Sequence, residues 1–64
     1  MTRDQFIRLL RKECAARGLI LTVDVKSGKG SHYRISLSNG RRTTLKSGEL
    51  SPLYMKIVRE QLGL

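Results

Sequence analysis

Apolar residues recur at helical spacing near both ends of the chain and alternate with polar residues in between. Residues 2–17 are expected to form a helix. Phe6, Leu9, Leu10 and Cys14 repeat every three to four positions and make one apolar stripe, with Ile7 at its edge and Glu13 at its border. Thr2 stands three residues before Gln5, the spacing of a capping box, and Gly18 provides a left-handed stop. From residue 19 to 26 the period changes to two. Leu19, Leu21, Val23 and Val25 alternate with Ile20, Thr22, Asp24 and Lys26, which predicts a strand with its odd positions on the core. Ser27-Gly28-Lys29-Gly30 is expected to be a flexible connection.

A second strand is expected over residues 31–37. Tyr33, Ile35 and Leu37 point inward, and His32, Arg34 and Ser36 point outward. The Ser38-Asn39-Gly40 turn admits two registers. A two-residue Asn-Gly turn places Leu37 opposite Arg42 and Arg34 opposite Leu45, mixing the two faces. A three-residue loop with Gly40 left-handed pairs Tyr33 with Leu45 and Arg34 with Thr44. A slip of one residue flips every side chain, so the apolar pattern selects the longer loop. The third strand is residues 41–46, with Thr43 and Leu45 inward and Arg42, Thr44 and Lys46 outward. Ser51 caps a second helix, with Pro52 in its first position. Leu53, Tyr54, Ile57, Val58 and Leu62 give that helix a broad apolar face. Gln61 lies within this face and needs a hydrogen-bond partner if buried, whereas Lys56, Arg59 and Glu60 are expected to point outward. Gly63 closes the helix.

The predicted order is therefore α-β-β-β-α: an α+β fold with a three-stranded antiparallel sheet and both helices packed on its apolar face. This is the arrangement of a double-stranded-RNA-binding domain in miniature. The other face carries His32, Arg34, Ser36, Arg42, Thr44 and Lys46. At 64 residues the chain makes one domain, residues 1–64. A chain of this size buries only about 60% of its unfolded surface, so any site should be shallow.

Charge then narrows the function. Thirteen Lys and Arg against five Asp and Glu give a net charge of +8. Between Lys26 and Lys46 there are six basic residues and no acid. That is the electrostatic footprint of a nucleic-acid binder. A DNA-binding role is less supported, because the pattern contains no helix-turn-helix. The single cysteine, Cys14, excludes an internal disulfide and reads as a small core residue. No Cys/His cluster has metal-ligand spacing, and no apolar run approaches the roughly 20 residues of a membrane span. A soluble, cytoplasmic protein with no cofactor and no membrane partner is expected.

His32, the only histidine, lies within Lys26-Ser27-Gly28-Lys29-Gly30-Ser31-His32-Tyr33-Arg34. Histidine is the side chain best placed for acid–base work near neutral pH. Lys26, Lys29 and Arg34 are candidate phosphate contacts. The N–H groups of Gly30 and Ser31 could hydrogen-bond a phosphate, and Arg41, Arg42 and Lys46 extend the cationic track. With few exposed aromatic residues, sequence-specific reading of single strands is weakly supported.

The chain resembles the HicA family, the toxin partners of HicAB toxin–antitoxin pairs, over essentially its full length. The resemblance rests on the amphipathic first helix ending in Gly18-Leu19, the Lys29-Gly30-Ser31-His32-Tyr33 segment, and the basic hairpin Asn39-Gly40-Arg41-Arg42. Gly48-Glu49-Leu50-Ser51-Pro52 then opens a helix ending Gln61-Leu62-Gly63-Leu64. The resemblance implies a double-stranded-RNA-binding-like fold and a metal-independent endoribonuclease that cleaves mRNA, with His32 in the place of the catalytic histidine. It also implies an acidic cognate antitoxin, HicB-like, that covers the cationic face and His32. One departure is plain: many members follow the third strand with a Pro-x-His segment, where this chain has Leu45-Lys46-Ser47-Gly48. The second proton carrier is therefore open among Lys29, Tyr33 and water, with Tyr33 ranked last because it faces the core. The competing expectation is an RNA-binding module of the same fold that performs no chemistry.

Overall fold

The computed structural model describes residues 1–25 and 32–64. The elements are α1 (Arg3–Ala16), β1 (Leu21–Asp24), β2 (Tyr33–Leu37), β3 (Arg42–Leu45) and α2 (Pro52–Gln61). The three strands form one antiparallel sheet in the order β1-β2-β3. This is the α+β arrangement that the periodicity predicts. The connection expected at Ser27-Gly28-Lys29-Gly30 lies outside the described residues.

Local chemistry explains where the helices begin and end. The Thr2 side chain accepts from the Gln5 N–H, and the Gln5 side chain accepts from the Thr2 N–H, a complete capping box. Past the last turn, Gly18 takes φ +71°, a conformation a side chain would resist. Ser51 Oγ accepts from the Tyr54 N–H at 3.1 Å, and Pro52 follows where no N–H is needed. The segment before α2 is also tied to the start of α1. Leu50 N–H donates to the Met1 carbonyl at 2.8 Å, and Arg3 N–H donates to the Gly48 carbonyl at 3.2 Å.

The second hairpin has the three-residue loop. Leu37 N–H donates to the Arg41 carbonyl, Gly40 lies at φ +88°, and Tyr33 pairs with Leu45 and Arg34 with Thr44. Asn39 reinforces the turn: its side-chain oxygen accepts from the Arg41 N–H at 2.9 Å, and its amide donates to the Leu62 carbonyl at 3.2 Å. The loop is thereby fastened to the end of α2.

One core lies between the helices and the sheet. Phe6, Leu10, Cys14, Ile35, Leu45, Leu50, Val58 and Leu62 are almost fully buried. Several flanking residues differ from expectation. Ile7 is buried and Leu9 is 46% exposed, so the inward stripe of α1 lies on the Ile7 side of Leu10. In α2, Leu53 and Ile57 are 67% and 43% exposed, and the helix buries Val58 and Leu62 instead. Val25, expected inward, is exposed beyond the end of β1. Leu50 is a core residue that no periodic pattern reveals, because it stands alone in a loop.

Arg59 is not a solvated outward cation. It spans the two helices, donating through both Nη atoms to the Glu13 carboxylate, with the Nη2 to Oε2 distance 2.8 Å. Arg17 Nη2 approaches the same carboxylate at 3.2 Å. A two-pronged guanidinium–carboxylate pair gives geometric specificity as well as energy. The hydrogen bond from Arg59 and its positive charge outweigh the effect of burial and hold the Glu13 carboxyl below its ordinary range.

A lowered folded-state pKa contributes stability that is present above the unfolded value and lost as pH falls through the folded value. Glu13→Gln should therefore lower stability at neutral pH by about 1 kcal/mol. Its deficit relative to the parent should shrink as pH falls from the ordinary glutamate range through the lowered pKa of Glu13. Urea unfolding of both proteins across that range measures it.

Candidate nucleic-acid interface

Strand parity turns the apolar half of the sheet inward and leaves the other half open. Ile35, Leu37 and Leu45 are buried, whereas Arg34, Arg42 and Thr44 between them are exposed. Arg34 pairs across the sheet with Thr44, and Ser36 pairs with Arg42. The two arginines are thus diagonal neighbours on one face, with backbones roughly 7–8 Å apart by sheet geometry. That spacing lets two guanidinium groups engage one anionic backbone together. His32 is exposed and immediately precedes β2, two residues before Arg34. Among the described residues, its imidazole has no hydrogen-bond or ion-pair partner.

The candidate cations do not all share this face. Arg34 and Arg42 lie on it. Arg41 lies at the hairpin tip, where its Nε would be 3.7 Å from a Cβ added to Gly63, so it stands at the C-terminal end of α2. Cations are favoured at that end of a helix. The Lys46 ammonium lies 4.9 Å from the centre of the Tyr54 ring, which draws it toward α2 and away from the open sheet. Lys26, Lys29, Gly30 and Ser31 lie outside the described residues.

Parity turns Asp24 outward, and the structure supplies its partner. Asp24 is the cross-strand partner of Arg34 in the β1–β2 register. An acid therefore stands directly opposite the central arginine of the face, in the geometry where opposite charges support a sheet. The loop joining the first two strands gave no unique register, so this pairing was not legible from the sequence. Tyr33 turns inward and is half-buried, with the Arg3 guanidinium 3.4 Å from its ring centre. That contact places it under the sheet, away from the exposed His32. Cys14 is buried, and burial pushes its thiol up from the ordinary range, so it is a packing residue.

Tyr54 takes a part that its helical position alone did not suggest. Its hydroxyl accepts from the Lys46 N–H at 3.1 Å and donates to the Thr44 carbonyl at 3.3 Å. The hydrogen bond from Leu37 to Arg41 directs the odd residues of the third strand toward β2. Thr44 and Lys46 therefore present their backbone groups to the free edge, and Tyr54 closes that edge. Gln61 lies exposed, so burial imposes no partner on it, and its side-chain oxygen accepts from the Thr43 hydroxyl.

Among the described residues no group of three or more His, Cys, Asp or Glu side chains is placed to hold a metal ion, and no helix is long and apolar enough to cross a membrane. Comparison with protein-family models, with curated proteins and with solved structures gives no match.

Tyr54→Phe keeps the ring and removes the hydroxyl. It should cost about 1 kcal/mol and raise the amide exchange rate of Lys46 more than that of Leu37, whose N–H is bonded within the hairpin. Site-resolved hydrogen exchange compares the two.

Proposed function

We propose that this protein is a metal-independent endoribonuclease that cleaves mRNA, with His32 as general acid or base, and that it is the toxin component of a toxin–antitoxin pair. The observation that carries the reading is an exposed, unique histidine two residues from Arg34, on a chain with net charge +8. The resemblance to the HicA family supports the same assignment.

The chemistry is a transesterification. The 2′-hydroxyl of one nucleotide loses its proton and attacks the adjacent phosphorus, and the bond from phosphorus to the 5′-oxygen of the next nucleotide breaks. That oxygen takes up a proton. The products are a 2′,3′-cyclic phosphate and a 5′-hydroxyl, with no redox partner required. His32 performs one of the two proton transfers in this step. Arg34 and Arg42 offset the charge that builds on the phosphate oxygens. Lys26, Lys29, Gly30 and Ser31 complete the phosphate contacts in this proposal, and Arg41 and Lys46 extend the track. The second proton passes through Lys29 or water, since Tyr33 is turned to the core. An acidic, HicB-like partner silences the enzyme by covering the cationic face and His32.

A second reading is an RNA-binding module of the same fold without catalysis. What favours it is that the sequence offers no evident second proton-transfer residue beside His32. Such a module uses the cations of the sheet face, Arg34 and Arg42.

The two readings diverge on His32→Ala. As an enzyme, the protein should lose about 10²- to 10⁴-fold in cleavage rate and cease to arrest growth, while its salt-dependent RNA affinity changes little. As a binding module, it should produce no new RNA ends with or without the substitution. Cleavage by the variant at the parental rate would remove His32 from the mechanism.

A further inference from the structure

Beside the sheet face lies a groove of about 1030 Å³ between β3 and α2. Arg34, Arg41 and Arg42 line its strand side, and Tyr54, Ile57 and Gln61 line its helix side. No carboxylate is among the lining residues, so the groove carries three fixed positive charges. It is also partly apolar in an unusual place. Ile57 is 43% exposed and Leu53, one helical turn earlier, is 67% exposed. Residues four apart on a helix are neighbours, so the two form one patch along the rim. An apolar patch bordered by charge is the common form of a protein-docking surface, whereas a phosphate backbone has no use for it.

From this combination we propose that the groove between β3 and α2 docks a protein segment in which carboxylates stand beside aliphatic side chains. The carboxylates engage Arg41 and Arg42, and an aliphatic side chain covers Ile57 and Leu53. The Tyr54 hydroxyl already bonds the Thr44 carbonyl and the Lys46 N–H, so the segment binds through side chains and does not extend the sheet along that stretch. The inference stands on the groove itself and holds whether or not His32 cleaves RNA.

Fluorescence anisotropy with three labelled probes of equal charge tests it: a peptide alternating glutamate with leucine, polyglutamate, and single-stranded RNA. The alternating peptide should bind about tenfold more tightly than polyglutamate, the scale of covering one large aliphatic side chain. Ile57→Ser and, separately, Leu53→Ser should remove that advantage while leaving polyglutamate binding unchanged. Both positions are exposed, and a parental circular dichroism spectrum confirms the fold of each variant. Arg41→Glu combined with Arg42→Glu should abolish binding of both peptides, and His32→Ala should alter neither. Equal affinity for the two peptides, or no response to either serine variant, would overturn the proposal. RNA binding that falls with Ile57→Ser while peptide binding does not would also overturn it, assigning the groove to RNA.

Discussion

Gly40 occupies φ +88° at the tip of the second hairpin, and the identity of both sheet faces depends on that conformation. With three residues in the loop, Ile35 lies opposite Thr43 and Tyr33 opposite Leu45. One residue fewer would turn Leu45 outward and drive an arginine into the core. Burying an unpaired guanidinium is far costlier than straining one turn, so the core enforces the register as firmly as the loop does. The same register aligns Arg34 and Arg42 diagonally on the open face. Core and cationic surface are thus two consequences of one pairing.

A sheet of three short strands cannot hold this arrangement alone, and the helices supply the rest. Phe6 and Leu10 from α1 meet Val58 and Leu62 from the other end of the chain in one buried cluster with Ile35 and Leu45. Around that small core, polar contacts fix the parts relative to one another. Glu13 receives Arg59 across the two helices, Asn39 joins the hairpin tip to the end of α2, and Tyr54 closes the free edge of β3. The first two join elements distant in sequence, and the third ties the consecutive elements β3 and α2 together. The open sheet face is consequently presented by a scaffold braced at its edge, at its tip and between its helices.

Much of this is legible in the sequence, and what is not has a common physical origin. Part of each predicted apolar face is buried: Phe6, Leu10 and Cys14 in one helix, Val58 and Leu62 in the other, with Tyr54 half-buried beside them. The flanks were not legible. A helical pattern with apolar residues on both sides of its spine leaves open which way the helix rolls. Packing against the sheet chose Ile7 over Leu9 and left Leu53 and Ile57 exposed. Leu50 escapes detection because an isolated apolar residue in a loop has no period. The charged pairs behave likewise. Arg59 reads as a solvated cation until the fold sets Glu13 beside it, and parity turns Asp24 outward while its pairing with Arg34 depends on a strand register that a long connection leaves undetermined. The outward arginines were legible because a period of two assigns faces directly, whereas His32, although exposed, precedes β2.

The diagonal arginines stand on the sheet face that the helices leave uncovered, and the exposed histidine lies two residues before Arg34 in the chain. A histidine-dependent transesterification makes a specific demand on its substrate: the 2′-hydroxyl must be present, because it is the nucleophile. The most direct measurement is therefore end analysis of RNA after incubation with the purified protein, comparing all-ribose RNA with the same RNA carrying a single 2′-deoxy nucleotide at the mapped cleavage site. The account predicts 2′,3′-cyclic phosphate and 5′-hydroxyl ends from the first substrate and no cleavage at that site in the second. Cleavage at the 2′-deoxy position, or products ending in 5′-phosphate and 3′-hydroxyl, would contradict it.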